Sequence, residues 1–169
     1  VANMGGVAEM IYEDANRPRT GNAVYGLFGR DFVTADGMRT MIVVVTPRQW
    51  SNLIGVLGIG DAMARIEAER GVSFARDDGL RFTHRDALLP LFEAAVALRE
   101  HAELAAALDA GGVVNSVYRT MLEAVNDPAL VANNPIFGRA ANPSKLVYPA
   151  AGAFASVPQL DRARPRSAP

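Results

Sequence analysis

Cysteine is absent from the 169 residues, which excludes a disulfide framework and any thiol nucleophile. Lysine is almost absent too: of 17 basic residues only Lys145 is not an arginine. Histidine is limited to His84 and His101, and with no Cys or paired His beside either, neither has the spacing of a metal site. No apolar run approaches the ~20 residues of a membrane span, and no charged-then-apolar leader opens the chain. Net charge is only −1, which gives no electrostatic case for nucleic acid or an anionic membrane. The arginines are scattered, except Arg162, Arg164 and Arg166, whose Pro and Ala neighbours read as a disordered tail. No G-x-S-x-G is present, so a nucleophile-elbow serine hydrolase is excluded. What remains is a soluble, cytoplasmic chain long enough for one domain with a sizeable core.

The densest information lies between Gly26 and Gly58. Asp36-Gly37 is a turn pair, because Gly reaches positive φ without steric cost and Asp tolerates the neighbouring position. Before it, Phe28, Arg30, Phe32 and Thr34 share one face of a strand. After it, Met41-Ile42-Val43-Val44-Val45 is apolar on both faces, the pattern of a central strand covered from both directions. Thr46 caps a helix, Pro47 opens it and Gln49 completes a T-x-x-Q capping box. Val45 and Trp50 sit where a hydrophobic staple needs them, and Gly58 ends the helix.

The remaining segments follow from the same signals. Apolar residues at Val7, Met10 and Ile11 fit the tail of a helix ending near Glu13, and residues 16–22 form a linker. Asp61 is expected to cap a second helix that runs to Arg70 and stops at Gly71. Ser73 to Phe82 reads as irregular, with Asp77-Asp78-Gly79 a turn. Thr83 with Asp86 predicts the start of a third helix, with Leu88, Leu91, Phe92 and Val96 as its core stripe. Pro90 lies inside it and should kink or loosen it. The helical pattern from Ala97 to Ala110 shows no strong break. Val113 to Tyr118 reads as a short strand, and Thr120 caps a helix from Met121 to Asn126. Asn133 to Pro149 reads as a loop, with Leu146-Val147-Tyr148 and Ala153-Phe154-Ala155 as candidate edge strands.

Gly58-Ile59-Gly60 superficially fits a dinucleotide fingerprint. That motif needs a preceding strand so that phosphate meets a helix N-terminus, whereas here a helix precedes it. The Asp77-Asp78 pair lies in a polar turn, where a solvated loop accounts for it better than acid–base chemistry.

The phrase F-V-T-A-D-G-M-R, an apolar strand and then T-P-R-Q-W-x-x-L-x-x-x-L-G resembles the family III CoA-transferases, also called the CaiB/BaiF family. Glu103-Leu104 with Leu108 to Gly111, and Asn126-Asp127-Pro128, continue that resemblance, which covers about Arg17 to Val157. Arg17 to Asn22, Phe28 to Phe32, Tyr118-Arg119-Thr120 and Asn134 to Phe137 are most like the mesaconyl-CoA (2-methylfumaryl-CoA) isomerase branch. The resemblance implies an α+β fold: a small antiparallel sheet built on the hairpin, with several packed helices. It also implies a helix break near Arg99-Glu100. Residues 1–22 would be the end of a large-domain helix and a linker, 23–132 the small domain, and 133–169 a C-terminal return segment.

For function, the resemblance implies CoA transfer between two carboxyl groups through an aspartyl anhydride. Its Asp lies in a large domain, so no catalytic residue is expected in this chain. A CoA thioester is the expected substrate, with no covalently held cofactor and no metal. The partners implied are the large domain or a partner subunit, with a homodimer in the intact parent. Substrate-proximal candidates are Gly26, Phe28, Gly29, Arg30 and Asp31, where two glycines allow close backbone approach and Arg30 suits a carboxylate. The alternative is that the glycines admit a bulge and Arg30-Asp31 is a surface charge pair. Tyr118 and Arg119 form a second candidate, against a structural Tyr beside a solvated Arg. Two other readings stay open: a fragment of an α-methylacyl-CoA racemase or other CaiB/BaiF enzyme, and a catalytically inactive stand-alone binding domain.

Overall fold

Strands β1 (Phe28–Val33) and β2 (Arg39–Val44) form the expected antiparallel hairpin, with Phe28 opposite Val44 and Val33 opposite Arg39. Gly37 takes φ 77° in the turn, a conformation that glycine adopts without strain. The computed structural model describes residues 6–141 and 143–153 together with Ala155 and Asp161. Strand β3 (Val114–Val117) pairs antiparallel with β2, giving the order β1-β2-β3. The chain divides into two units, Val1–Tyr118 and Arg119–Pro169.

Because side chains alternate along a strand, the sheet has two unlike faces. Phe28, Phe32, Ile42 and Val44 are buried on one, where they join Trp50, Phe74 and Phe92 in an aromatic-rich core. Phe28 lies 4.5 Å from Phe92 and 5.2 Å from Trp50, centroid to centroid. The other face carries Met41 and Val43, both half-buried, and exposed Val33, Val45 and Val114. The expectation that Met41 to Val45 is covered from both directions is therefore corrected. The strand is central, but the core closes only one of its faces. Val45 is exposed while Trp50 is buried, so Trp50 is fixed by the aromatic core and not by the expected staple.

Helix α1 (Val7–Glu13) leads into the linker. Helix α2 (Pro47–Leu57) starts with the complete capping box of Thr46 and Gln49 and ends at Gly58 with φ 69°. Gln49 does more than cap: its Nε2 donates to Gly112 O at 3.1 Å, while Asn52 Nδ2 donates to Gly111 O at 2.7 Å. Helix α3 (Gly60–Arg70) begins one residue before Asp61, which sits in the first turn and makes no cap.

The region after it departs further. Asp77, expected in a turn, accepts from the Gly79 and Leu80 N–H groups and starts α4 (Asp78–Thr83), while the helix expected to be capped by Thr83 begins after His84 with no side-chain cap. Helix α4 replaces the expected irregular stretch, and Thr83 is its last residue. Arg81 explains why the segment orders. It is fully buried, sits 4.6 Å from the Trp50 ring and donates from Nε to Phe74 O at 2.6 Å. Its Nη1 lies 2.7 Å from Asp78 Oδ1, an ion pair off the axis of a hydrogen bond. A buried cation of this kind is tolerated only when paired.

Helix α5 (Arg85–Val96) runs through Pro90 without interruption, and α6 (His101–Ala110) follows after the break implied near Arg99-Glu100. The hairpin turn makes that break. Arg99 O accepts from Ala35 N at 2.8 Å, and Asp36 Oδ1 accepts from His101 N at 3.2 Å. Asp36 thus supplies from a distance the N-terminal acceptor that Glu100 does not.

In the second unit, Thr120 and Glu123 form a complete capping box on α7 (Met121–Asn126), and Asp127 caps a short π-helical turn, Pro128–Ala132. Strands β4 (Phe137–Ala141) and β5 (Val147–Ala151) pair antiparallel. Strand β4 corrects the loop expected over 133–149, while β5 takes in Val147 and Tyr148 of the candidate edge strand at Leu146-Val147-Tyr148. Ala153 and Ala155 carry no strand, and Phe154 lies outside the described residues.

Candidate functional site

A basic pocket opens at the outer edge of β1. Its cavity of about 410 Å³ is walled by linker residues 19–23, by Arg30 and Asp31 of β1, by Arg39 of β2, and by Arg85, Asp86 and Leu89 of α5. Four of these residues are arginines and two are aspartates. A cavity of this volume falls in the range of small-ligand sites.

The linker wall is held by short-range chemistry. Val24 N donates to Gly29 O at 2.8 Å, so the linker lies against the edge of β1. A Cβ on Gly29 would come within 2.9 Å of Val24 Cγ2, whereas Gly26, at φ 81°, faces open space. Gly29 is therefore required by the chain's own close approach, and Gly26 by a turn. Further along, Arg17 lies over the Tyr25 ring at 4.1 Å, Tyr25 against Phe82 at 4.8 Å, and Arg85 over Phe82 at 4.5 Å. Glu9 binds the Arg17 guanidinium and accepts from the Tyr25 hydroxyl at 2.9 Å. This pair of rings, flanked by a cation on each side, fastens the linker to α4 and α5.

Two ion pairs involve residues of the pocket wall and differ in character; Glu93, the partner in the second, stands outside the lining. Asp31 is buried and pairs with Arg39. Burial pushes its carboxyl up, but the Arg39 guanidinium and a hydrogen bond from Asn22 outweigh that and leave it below its ordinary value. Arg30 meets Glu93 through a single contact, Nη1 to Oε1 at 3.0 Å, with side chains 38% and 48% exposed. Arg85, Leu89 and Glu93 recur every four residues on α5 and present one stripe to this edge.

Of the residues singled out in the sequence, the structure brings Arg30 and Asp31 together in the pocket wall, beside Gly29. Phe28 is in the core. Tyr118 lies beyond the end of β3, on the other side of β2 from β1, with its hydroxyl 3.9 Å from Met41 Sδ. Arg119 belongs to the second unit and pairs with Asp127 at 3.4 Å. Sequence reasoning missed Arg19, Arg39, Arg85 and Glu93. The four-residue spacing of Arg85, Leu89 and Glu93 beside the core stripe was the available signal; nothing local marked Arg39 as the partner of Asp31.

Among the described residues no cluster of His, Asp or Glu suits a metal ion, and no helix is long and apolar enough to cross a membrane. The pocket wall is ionic: four arginines line it, and its buried carboxylate, Asp31, is paired with Arg39.

The chain belongs to CoA-transferase family III, whose profile matches residues 3–169. Among its relatives is a 2-methylfumaryl-CoA isomerase of Chloroflexus aurantiacus, 35% identical over 164 residues, which are 95% of this chain and 40% of that protein. The fold is similar to that of a CaiB/BaiF family protein from Brucella suis, with TM-score 0.66, 19% identity, and 94% of this chain and 38% of that one covered. It is similar also to a protein of Mycobacterium tuberculosis, with TM-score 0.64, 16% identity, and 98% and 42% covered. The chain thus spans about two fifths of the length of the relatives it matches.

Proposed function

We propose that this chain is the small-domain portion of an enzyme that moves CoA between the two carboxyl groups of a 2-methylfumaryl thioester. In this reading the carboxylate that forms the acyl anhydride lies in the part of the family's length that the chain does not span. Residues 1–22 then carry the chain in from a large domain, and the pocket at the edge of β1 covers the acyl group. Arg30 holds the free carboxylate of the dicarboxylic substrate in a charge-assisted pair. The observation that carries the reading is the 35% identity to a 2-methylfumaryl-CoA isomerase over nearly the whole chain. The arginine-lined pocket supports it, because an acyl group with a second carboxylate needs a cationic anchor and a monocarboxylic acyl group does not. The exposed apolar face with Val33, Val45 and Val114 supports a further domain or second subunit as cover. The enzyme acts in the cytoplasm on a dissociable CoA thioester.

The test is the Arg30→Met variant in the full-length protein that contains this chain. KM for 2-methylfumaryl-CoA should rise about tenfold with kcat little changed, because a uniform binding contact is lost. A monocarboxylic acyl-CoA should be unaffected. Equal effects on both substrates, or none, would favour a racemase or another CaiB/BaiF activity instead.

A further inference from the structure

We infer that Glu93 is the counter-ion the fold keeps on Arg30 until a ligand carboxylate displaces it, which makes Glu93 the residue that sets the affinity of that anchor. The inference rests on the reading of Arg30 as a carboxylate anchor. It starts from the contrast between the Asp31–Arg39 pair within the pocket wall and the pair that ties Arg30 of the wall to Glu93 on α5. The Asp31 carboxylate is 3% exposed and held by Arg39 and Asn22, so opening that pair strands a buried charge. The Arg30–Glu93 contact is a single one between half-exposed groups, and pairs of that kind are weak enough to exchange. A guanidinium has five donors in a fork, so one contact to Glu93 leaves most of its capacity unused. A ligand carboxylate binding both nitrogens of the fork would make the better partner.

Charge accounting describes the competition. Asp31 cancels Arg39 and Glu93 cancels Arg30, leaving Arg19 and Arg85 against Asp86, which lies 4.0 Å from Arg85. Glu93 is fixed on α5 one turn beyond Leu89, so it competes at a high effective concentration. Any carboxylate that binds Arg30, the single free one of a thioester included, must first win it from Glu93. A free dianion also answers the remaining positive charge, so it binds better than a monoanion with Glu93 present or absent.

The experiment titrates the 169-residue chain with 2-methylfumarate and, separately, with acetate, following backbone amide shifts of Arg30, Glu93 and the linker. Wild type should bind the dicarboxylate in preference to acetate. Glu93→Gln should bind 2-methylfumarate about three- to fivefold more tightly, the scale of a surface ion pair, and acetate at least as much more tightly, because Glu93 opposes both. Arg30→Met should weaken binding by more than about tenfold, and the gain from Glu93→Gln should vanish in the double variant. Circular dichroism of each variant checks the fold. Unchanged affinity in Glu93→Gln, with binding lost in Arg30→Met, would overturn the role of Glu93 and leave Arg30 as the anchor. Undiminished binding in Arg30→Met would remove both. No saturable shift in any form would also overturn the inference, while the family assignment, which rests on sequence, would stand.

Discussion

Arg30 and Asp31 are neighbours in sequence, and strand alternation turns them to opposite faces with opposite fates. Arg30 shares its face with Phe28 and Phe32 and reaches Glu93 at the edge; Asp31 is buried against Arg39. Because the Asp31 carboxyl is held below its ordinary value in the folded state, its contribution is fully present above the unfolded pKa of about 3.9. It is lost as pH falls through the lower folded value. Chemical denaturation from pH 7 downward should therefore show stability declining below about pH 4. Asp31→Asn should flatten that decline and cost about 1–2 kcal/mol at pH 7, less than a fully buried pair because Arg39 stays half-exposed. An unchanged acid limb in the variant would mean that other carboxylates carry it. At this scale Arg30 was legible, as an arginine between glycine and aspartate in a strand of known face. Asp31 was a substrate-proximal candidate with a surface charge pair as the alternative; it is buried and paired with Arg39, a partner that comes from β2 through register alone.

Among the elements, the best-specified ones carry their own chemistry in adjacent residues. The β1–β2 hairpin, the Thr46 capping box, the Thr120 cap and the glycine stop at Gly58 appear as read. Elements set by distant contacts were less legible in the residue pattern. The α4 segment orders around buried Arg81. The α5–α6 break, expected only from the family resemblance, is made by Asp36 and Ala35. Strand β4 pairs with β5, of which only the start was expected as an edge strand. The capping box of α2 also exceeds its sequence reading, because Gln49 ties α2 to the end of α6 through Gly112. Thr46→Ala should cost about 1 kcal/mol, as a lost cap does. Gln49→Ala should cost more, about 2 kcal/mol, because the cap and the tether go together. Urea denaturation of the two variants decides this, and a smaller loss in Gln49→Ala would show that the tether contributes nothing.

At the scale of the molecule, the main buried cluster among the described residues runs from Phe28 to Val113 in the first unit, and Ala140 is a buried hydrophobic of the second. The second unit exposes Met121, Leu122 and Val125, and its α7 buries no residue. The pocket thus lies in the unit that holds the aromatic core, and both units carry exposed apolar side chains. The chain matches a 2-methylfumaryl-CoA isomerase over 40% of that protein's length, and the proposed division of labour follows: anion-holding walls here, the thioester-attacking carboxylate elsewhere. The most direct measurement is to incubate the purified 169-residue chain alone with 2-methylfumaryl-CoA and separate the two thioester isomers by chromatography. The account predicts no conversion above the buffer control. Sustained formation of the second isomer would contradict it, because the nucleophile would then have to lie within these residues.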